Sequence, residues 1–535
     1  MNPKFLAELL RRAAPTEMPP SRRRRAVLRI AAALAGSAVL APATLRRAWA
    51  QPRFTAYPYT LGVASGCPRP DGVVLWTRLA PEPLAGGGMG PENVEVVWEI
   101  ATDEAFRNIV RKGTETATPE LAHSVHAEVT GLEPARWYWY RFTAGDAVSP
   151  VGRARTAPAT GAPLDRFRFA YASCQQYEQG YYAAHRHMAA EDLDLVIFLG
   201  DYIYESSWGQ RHVRKHDAGE PYTLDEYRGR YALYKSDPDL RANHAAVPWI
   251  VTWDDHEVDN DYANDKSEDL DANFLARRAA AYQAYYEHMP LARRALPRGP
   301  DALIHDRYAF GDLAAFFVLD DRQYRSHEVC PKEGRGGSNV VGEDCTNRLD
   351  PSRTMLGAAQ EAWLKDGLTQ TRARWNVIAQ QTLMAQHDRL PGPGQKFWTD
   401  GWDGYPVARA RLLGDVAQSR AANPLVIGGD VHWTCVADLK TDFDDPQSAV
   451  VATEICGTSI TSQGPSLKQT EASLAENPHL HYGNGVKRGY VRMELTRDRC
   501  TASLRALDDV KRADSGIATA ATFIVESGRP GAKIA

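Results

Sequence analysis

The chain has 535 residues, 44% of them apolar and 24% charged, with 41 Gly and 33 Pro. At roughly 100–200 residues per domain this length predicts two or three domains with an ample core, and it excludes a disordered, collagenous or small disulfide-stapled protein. The formal net charge is −4, but residues 1–50 hold ten Lys/Arg against two acids, and beyond them 53 basic face 65 acidic residues, a net −12. A body that acidic argues against nonspecific binding to nucleic acid or membrane surfaces and leaves room for a local basic pocket that takes an anion.

Ser21 and Arg22 to Arg25 precede the apolar run Ile30 to Ala41, which at twelve residues is too short for a bilayer; a span needs about 20 helical residues. The segment reads as a signal peptide. Arg24-Arg25-Ala26-Val27-Leu28 resembles a twin-arginine export signal, and Ala48-Trp49-Ala50 offers a cleavage site that leaves Gln51 as the new N-terminus. The resemblance implies the twin-arginine export machinery as a partner, a periplasmic or secreted product and no membrane span in the mature form. Signals of that kind pass folded cargo, often with metal already loaded, which favours a metalloprotein. In an oxidising compartment nearby cysteines can close, and Cys330 and Cys345, flanking the loop Gly334 to Val341, are the obvious pair among seven.

From Tyr57 to about Pro158 short alternating runs such as Val94 to Ile100 and Trp137 to Phe142, broken by Gly and Pro, predict a β-sandwich. Thr130-Gly131-Leu132-Glu133-Pro134 followed by Trp137 to Phe142 resembles the end of a fibronectin type III module. Thr156 to Pro163 then reads as a linker. Beyond it, apolar runs of four to eight residues alternate with helical stretches such as Arg277 to His288, which implies parallel strands with helices on both faces.

Ligands of open α/β sheets sit at the carboxyl ends of strands. Six runs end in polar groups: Ser173-Cys174, Gly200-Asp201-Tyr202-Ile203-Tyr204, Asp254-Asp255-His256-Glu257, Asp320-Asp321-Arg322, Gln380-Gln381 and Gly429-Asp430-Val431-His432. Four or more acids converging in one crevice repel one another strongly unless a multivalent cation sits among them, so a metal centre is the economical reading.

Three of these endings match the order of motifs in calcineurin-like binuclear phosphoesterases, with Cys174 where the first acid stands and Asp430 in place of a histidine. Together, F-A-Y-A-S-C (169–174), G-D-Y-I-Y-E (200–205), W-D-D-H-E (253–257), L-D-D-R-Q-Y-R (319–325), W-D-G-Y (402–405) and G-G-D-V-H (428–432) closely resemble the PhoD-like alkaline phosphatases. The resemblance implies a calcineurin-like α/β metallophosphatase domain over residues 161–535, preceded by the fibronectin-like all-β sandwich over residues 51–160 and the leader over residues 1–50. It implies hydrolysis of small phosphate monoesters, in some members diesters, by iron(III) with associated calcium.

The spacing of Asp201 and Tyr204 also resembles the purple acid phosphatases, in which a tyrosine three residues after the bridging aspartate binds ferric iron. Thiolate and phenolate suit a trivalent ion, so Cys174, Asp201, Tyr204 and His432 are assigned to iron. Asp201, Asp255, Asp430 and, less firmly placed on its strand, Asp254 supply hard oxygen donors that favour calcium. His256 sits where the family places a histidine facing substrate, able to protonate the leaving alkoxide or steady the phosphoryl oxygens. Arg322 is open to two readings, a clamp on a phosphate oxygen or a partner of Asp320 or Asp321. Gln380 and Gln381 are weak ligands, expected at most to contact or support the centre. Trp402, Asp403 and Tyr405 wall or lid the pocket, with ordinary loop packing the alternative. Two rival functions remain at this point: a secreted binding protein with structural metals, and a diesterase acting on a polymer.

Overall fold

A computed structural model describes residues 54 and 56–535. The predicted leader, its arginine cluster and its cleavage site lie outside the described residues. The N-terminal part is made of β1 (Val63–Arg69), β2 (Gly72–Arg78), β3 (Val94–Ala101), β4 (Ile109–Ala117), β5 (Ser124–Thr130), β6 (Trp137–Ala144), β7 (Ala147–Val148) and β8 (Gly152–Arg155). It is followed by β9 (Arg166–Ala172), β10 (Leu195–Leu199), β11 (Trp249–Thr252), β12 (Asp306–Phe310), β13 (Ala314–Val318), β14 (Val340–Val341), β15 (Trp375–Ala379) and β16 (Phe397–Trp398). The remaining strands are β17 (Pro424–Gly428), β18 (Thr434–Lys440), β19 (Val450–Cys456), β20 (Leu480–Asn484), β21 (Gly489–Thr496), β22 (Arg499–Leu507), β23 (Ile517–Glu526) and β24 (Lys533–Ile534).

Two large mixed sheets carry the C-terminal part. One has ten strands in the order β24-β23-β22-β21-β9-β10-β11-β1-β2-β5, and the other has seven in the order β12-β13-β15-β17-β19-β18-β20. Within them β9, β10 and β11 are parallel, as are β13, β15, β17 and β19. The side chains alternate between two cores. Leu195, Ile197 and Leu199 point at the other sheet, where they share a cluster with Phe316, Val377 and Ile427. Val196 and Phe198 point outward to Tyr227, Leu240 and Tyr282 of three helices, Leu224–Lys235, Pro238–Ala246 and Phe274–His288. On the far side Phe317, Ile378 and Val426 meet Leu364 and Leu413 of helices Gly357–Gln370 and Pro406–Ser419.

The sequence expectation of helices on both faces is thus resolved into four layers, with helices only on the outer face of each sheet. Continuous apolar runs do not distinguish the two cases, because a strand buried against a second sheet is as apolar on both faces as one buried between helices. Each fully buried aliphatic or aromatic side chain in these layers contributes about 1.5–3 kcal/mol relative to exposure.

The N-terminal part is all-β, and its second sheet runs β4-β3-β6-β7 with β8 on β6. This sheet packs on β1, β2 and β5 through Val73, Leu75, Val96, Val125, Tyr138 and Tyr140. Those same three strands extend the ten-stranded sheet, because β1 pairs in parallel with β11 at Gly66 and Trp249. From Phe54 onward the chain forms one compact unit. Cys330 and Cys345 are disulfide-bonded. Among the described residues no helix is long and apolar enough to cross a membrane.

Candidate metal centre

The six polar strand endings singled out in the sequence follow β9, β10, β11, β13, β15 and β17. The turns that carry the candidate ligands are tight. Cys174, Asp201, Asp430 and His432 all have left-handed backbone, with φ of 59°, 55°, 63° and 56°. Non-glycine residues adopt that region rarely and at a cost of about 1–3 kcal/mol each, so their clustering marks a site that the surrounding fold holds in place. Gly200 precedes Asp201 at φ 97°, where a Cβ would lie 2.6 Å from the Asp254 amide nitrogen. Two strand ends cross there at a distance only glycine permits.

The donors gather around Asp201. Three sets of side chains each offer ligand atoms within 4.8 Å of one another: Cys174, Asp201 and His432; Asp201, Asp255 and His256; Asp201, Asp254 and Asp430. Tyr204 Oη donates to Asp201 Oδ2 at 2.8 Å and lies 3.1 Å from His432 Nε2. Asp201, Asp254 and Asp255 are buried, and Asp201 Oδ1 and Asp254 Oδ2 have no hydrogen-bond partner. Buried carboxylate oxygens without a partner carry a heavy penalty. Burial and neighbouring carboxylates together push the Asp201 and Asp430 carboxyls well above the usual range, and Asp254 up to about 6. A cation among them reverses that logic, since it favours every anionic donor it touches. His432 is pushed down to about 3 by burial, then by Arg488 and His256, so its imidazole is neutral and keeps a lone pair for a ligand.

His256 stands beside this group at the wall of a cleft of about 540 Å³. Its Nδ1 is 2.6 Å from Glu205 Oε2, and its ring lies 4.1 Å from that of Tyr204. Burial opposes its charge, but Glu205, Asp255 and Asp201 outweigh burial and hold its pKa well above the ordinary value. The Glu205 pair leaves Nε2 as the nitrogen free for chemistry. Trp208 stacks on His432 at 5.4 Å between ring centres.

Arg322 is only 1% exposed and is not among the residues that line the cleft beside His256. Its Nε donates to Asp254, and its two Nη atoms donate to Asp400 at 2.6 and 2.9 Å. Of its two sequence readings the structure favours ion pairing, with Asp254 and Asp400 as partners in place of Asp320 or Asp321. From Arg322, the Asp320 carboxylate accepts only the backbone amide, at 3.1 Å, and its other donors are Trp253 and Gln323. The guanidinium stem follows the strand end back into the protein, toward carboxylates that sequence order does not place beside it.

The two glutamines are structural braces. Gln381 Nε2 donates to Thr252 Oγ1, Trp253 O and Leu319 O at 2.8–2.9 Å, tying the ends of β11 and β13 together. Gln380 Oε1 accepts from Thr382 N and Trp402 Nε1, both at 3.1 Å. The expected lid at Trp402, Asp403 and Tyr405 is core instead: Trp402 and Tyr405 are buried, and Asp403 pairs with Arg409 at 2.6 Å. Loop packing won here because the acid had a buried arginine to satisfy, six residues along the chain.

Four supporting residues had no assigned role in the sequence reading. Glu205 and Glu257 stand inside quoted motifs, and a buried acid beside a ligand was the available signal. Glu257 accepts from the amides of Asp201 at 3.0 Å and Asp254 at 2.7 Å, and from that of Tyr202, fixing two turns at once. Asp400 and Arg488 lie in no such pattern. Arg488, buried, donates from Nη1 to the His432 carbonyl at 2.9 Å and to Thr458 Oγ1 at 2.7 Å, which holds His432 in its left-handed conformation.

Two mixed sheets between helices, with an acid-rich centre at the ends of their parallel strands, define an α/β protein carrying a candidate cation site. The chain belongs to the PhoD-like phosphatase family: the family model matches residues 169–504, and the PhoD-like phosphatase N-terminal domain matches residues 44–158. It is 47% identical over 493 residues to alkaline phosphatase D of Bacillus subtilis (strain 168), spanning 90% of this chain and 83% of that protein. A solved structure described as "Structure of PhoD" superposes with a TM-score of 0.86 at 46% identity, covering 90% of this chain and 93% of that one. Membership of a phosphatase family displaces the reading of a binding protein with purely structural metals.

Proposed function

We propose that this phosphatase hydrolyses phosphate monoesters, and diesters as a second activity, at a cation centre that Asp201 would hold together with the donors gathered around it. The observation that carries this reading is the position of Asp201, shared by three donor sets with one buried oxygen unpartnered. The donors fit iron(III) on the side of Cys174, Tyr204 and His432, where a thiolate and a phenolate would be anionic, polarisable donors suited to a trivalent ion. They fit calcium on the side of Asp254, Asp255 and Asp430, where every donor is a hard oxygen. When bound, such ions supply a nucleophilic hydroxide near neutral pH and positive charge against the phosphoryl oxygens.

The chain's own residues do the rest. Arg322 and Asp400 hold the Asp254 carboxylate in place, and Glu257 sets the backbone of both turns that present Asp201 and Asp254. Glu205 orients His256 and keeps it protonated, so that Nε2 gives its proton to the departing alkoxide as the ester bond breaks. Trp208 packs on His432 and shields that side of the centre from solvent. In this reading residues 161–535 are a calcineurin-like metallophosphatase domain, residues 51–160 a fibronectin type III-like module, and residues 1–50 a twin-arginine leader removed after export to the periplasm or medium.

The test loads the protein with iron and calcium, or with zinc alone, and follows hydrolysis of aryl phosphate mono- and diesters. Activity is expected with iron and calcium, together with a visible phenolate-to-iron absorption band that Tyr204→Phe removes. Full activity with zinc alone, or a colourless active wild type, contradicts the metal assignment.

A further inference from the structure

The cleft beside the centre is lined by eight carboxylates and a single guanidinium, that of Arg389. The carboxylates away from the centre already have partners. Glu205 pairs with His256, Glu220 and Asp259 pair with Arg277, and Glu268 and Asp269 pair with Arg335. Arg389 differs. It is exposed, and among the described residues its side chain makes no hydrogen bond and no ion pair. Its guanidinium carbon lies 5.3 Å from the ring centre of Trp398, which steadies it without neutralising it.

Arg389 also stands at the threshold of a second cavity, of about 350 Å³, which shares it and Val431 with the cleft. Val431 is the residue between Asp430 and His432, so the second cavity abuts the loop that carries two candidate ligands. Trp433, Pro391 and Pro465 give it apolar wall. Its own carboxylates are engaged: Asp388 Oδ1 accepts the Leu390 and Lys396 amides at 2.9 Å, and Glu476 Oε2 accepts the Gly392 amide at 2.9 Å. A cavity of this size falls at the lower end of small-molecule sites, roughly 300–1,000 Å³.

We infer that Arg389 and this cavity form a subsite for the alcohol side of the ester, selecting phosphate esters whose alcohol carries a second anionic group. The inference rests on the phosphatase reading above and adds the substrate class. A planar guanidinium with free donors is suited to two-pronged contact with a carboxylate or a phosphate. The other cations at the cleft, His256, Arg277 and Arg335, are already paired with its acids, so a second anion is drawn to Arg389, whose guanidinium is free. The carbon skeleton of the alcohol then lies along Trp433 and the two prolines.

The experiment compares phenyl phosphate with 4-carboxyphenyl phosphate in wild type, Arg389→Met and Ala472→Trp, the last placing an indole in the cavity from the exposed face of helix Leu467–Glu476. The ratio of kcat/KM between the two substrates is read in each protein, so the leaving-group chemistry of the probes cancels. That ratio is expected to fall about tenfold in Arg389→Met, mainly through KM, as for loss of one charge-assisted contact, and to fall in Ala472→Trp. An unchanged ratio in Arg389→Met overturns the inference, and so does an equal loss on both substrates, which would put Arg389 on the reacting phosphoryl group. Wild-type turnover of phenyl phosphate tests the phosphatase reading separately, since that substrate has no second anion.

Discussion

Glu205 decides what His256 can do. Burial alone favours a neutral imidazole, and it is the carboxylate 2.6 Å from Nδ1, with Asp255 and Asp201 behind it, that keeps the proton on. A raised pKa means the acid form persists up the pH scale and is lost as pH rises through that pKa, while bound cations draw it part of the way back down. Glu205→Gln removes the largest raising charge, so the alkaline limb of kcat/KM for alkyl phosphates is expected to move to lower pH. His256→Ala is expected to lose a factor of about 10²–10⁴ on alkyl phosphates and far less on a nitrophenyl ester, whose leaving group needs no proton. An unmoved limb in the first variant, or equal losses on both substrates in the second, removes His256 from acid catalysis. Cys174, the odd residue at a strand end, and Tyr204, by its spacing from Asp201, were both singled out in the sequence, and the fold brings both beside Asp201. Asp400 and Arg488 were invisible, because each reaches the centre from a segment with no motif of its own, and only the folded chain brings it there.

The element that matters most is the turn after each parallel strand. β10 and β11 present Asp201 and Asp254 from crossing turns, and the crossing depends on Gly200 and on the Glu257 carboxylate bonded to both backbones. Behind them Arg322 joins the ending of β13 to Asp254 and to Asp400, all nearly free of solvent contact. Removing one member of a buried, hydrogen-bonded ion pair leaves the other charges uncompensated and costs about 3–5 kcal/mol. Arg322→Met is therefore expected to lower stability by about that amount in chemical denaturation. A variant as stable as wild type with only KM raised would restore Arg322 as a clamp on phosphate. The strand endings were readable because apolar runs stop abruptly at charged residues. The partners of Arg322 were not, since sequence offered Asp320 and Asp321 next door and gave no register between strands 68 and 78 residues away.

Across the whole molecule, the alternating runs before residue 158 correctly marked an all-β part, and the apolar runs after it a mixed α/β part. What stayed hidden was their union. The parallel contact of β1 with β11 pairs residues nearly two hundred positions apart, Gly66 with Trp249, and makes three N-terminal strands the continuation of the sheet whose ends carry Asp201, Asp254 and Asp255. Trp76 Nε1 donates to the Glu287 carbonyl at 3.0 Å and His126 stacks on Tyr286 at 4.1 Å, so the N-terminal part also braces the helix Phe274–His288. Long-range strand pairing leaves no local signature, whereas alternation does. The architecture sets Asp201 in the middle of the candidate donors, where cations are proposed to bind. The most direct measurement is elemental analysis of wild type and Asp201→Asn, purified alongside each other, with aryl phosphate turnover recorded on the same samples. Both cations are expected in wild type, and Asp201→Asn is expected to lose metal and turnover together. Asp201→Asn that keeps both ions, or a wild type that turns over at full rate after the metals are stripped, would contradict the account.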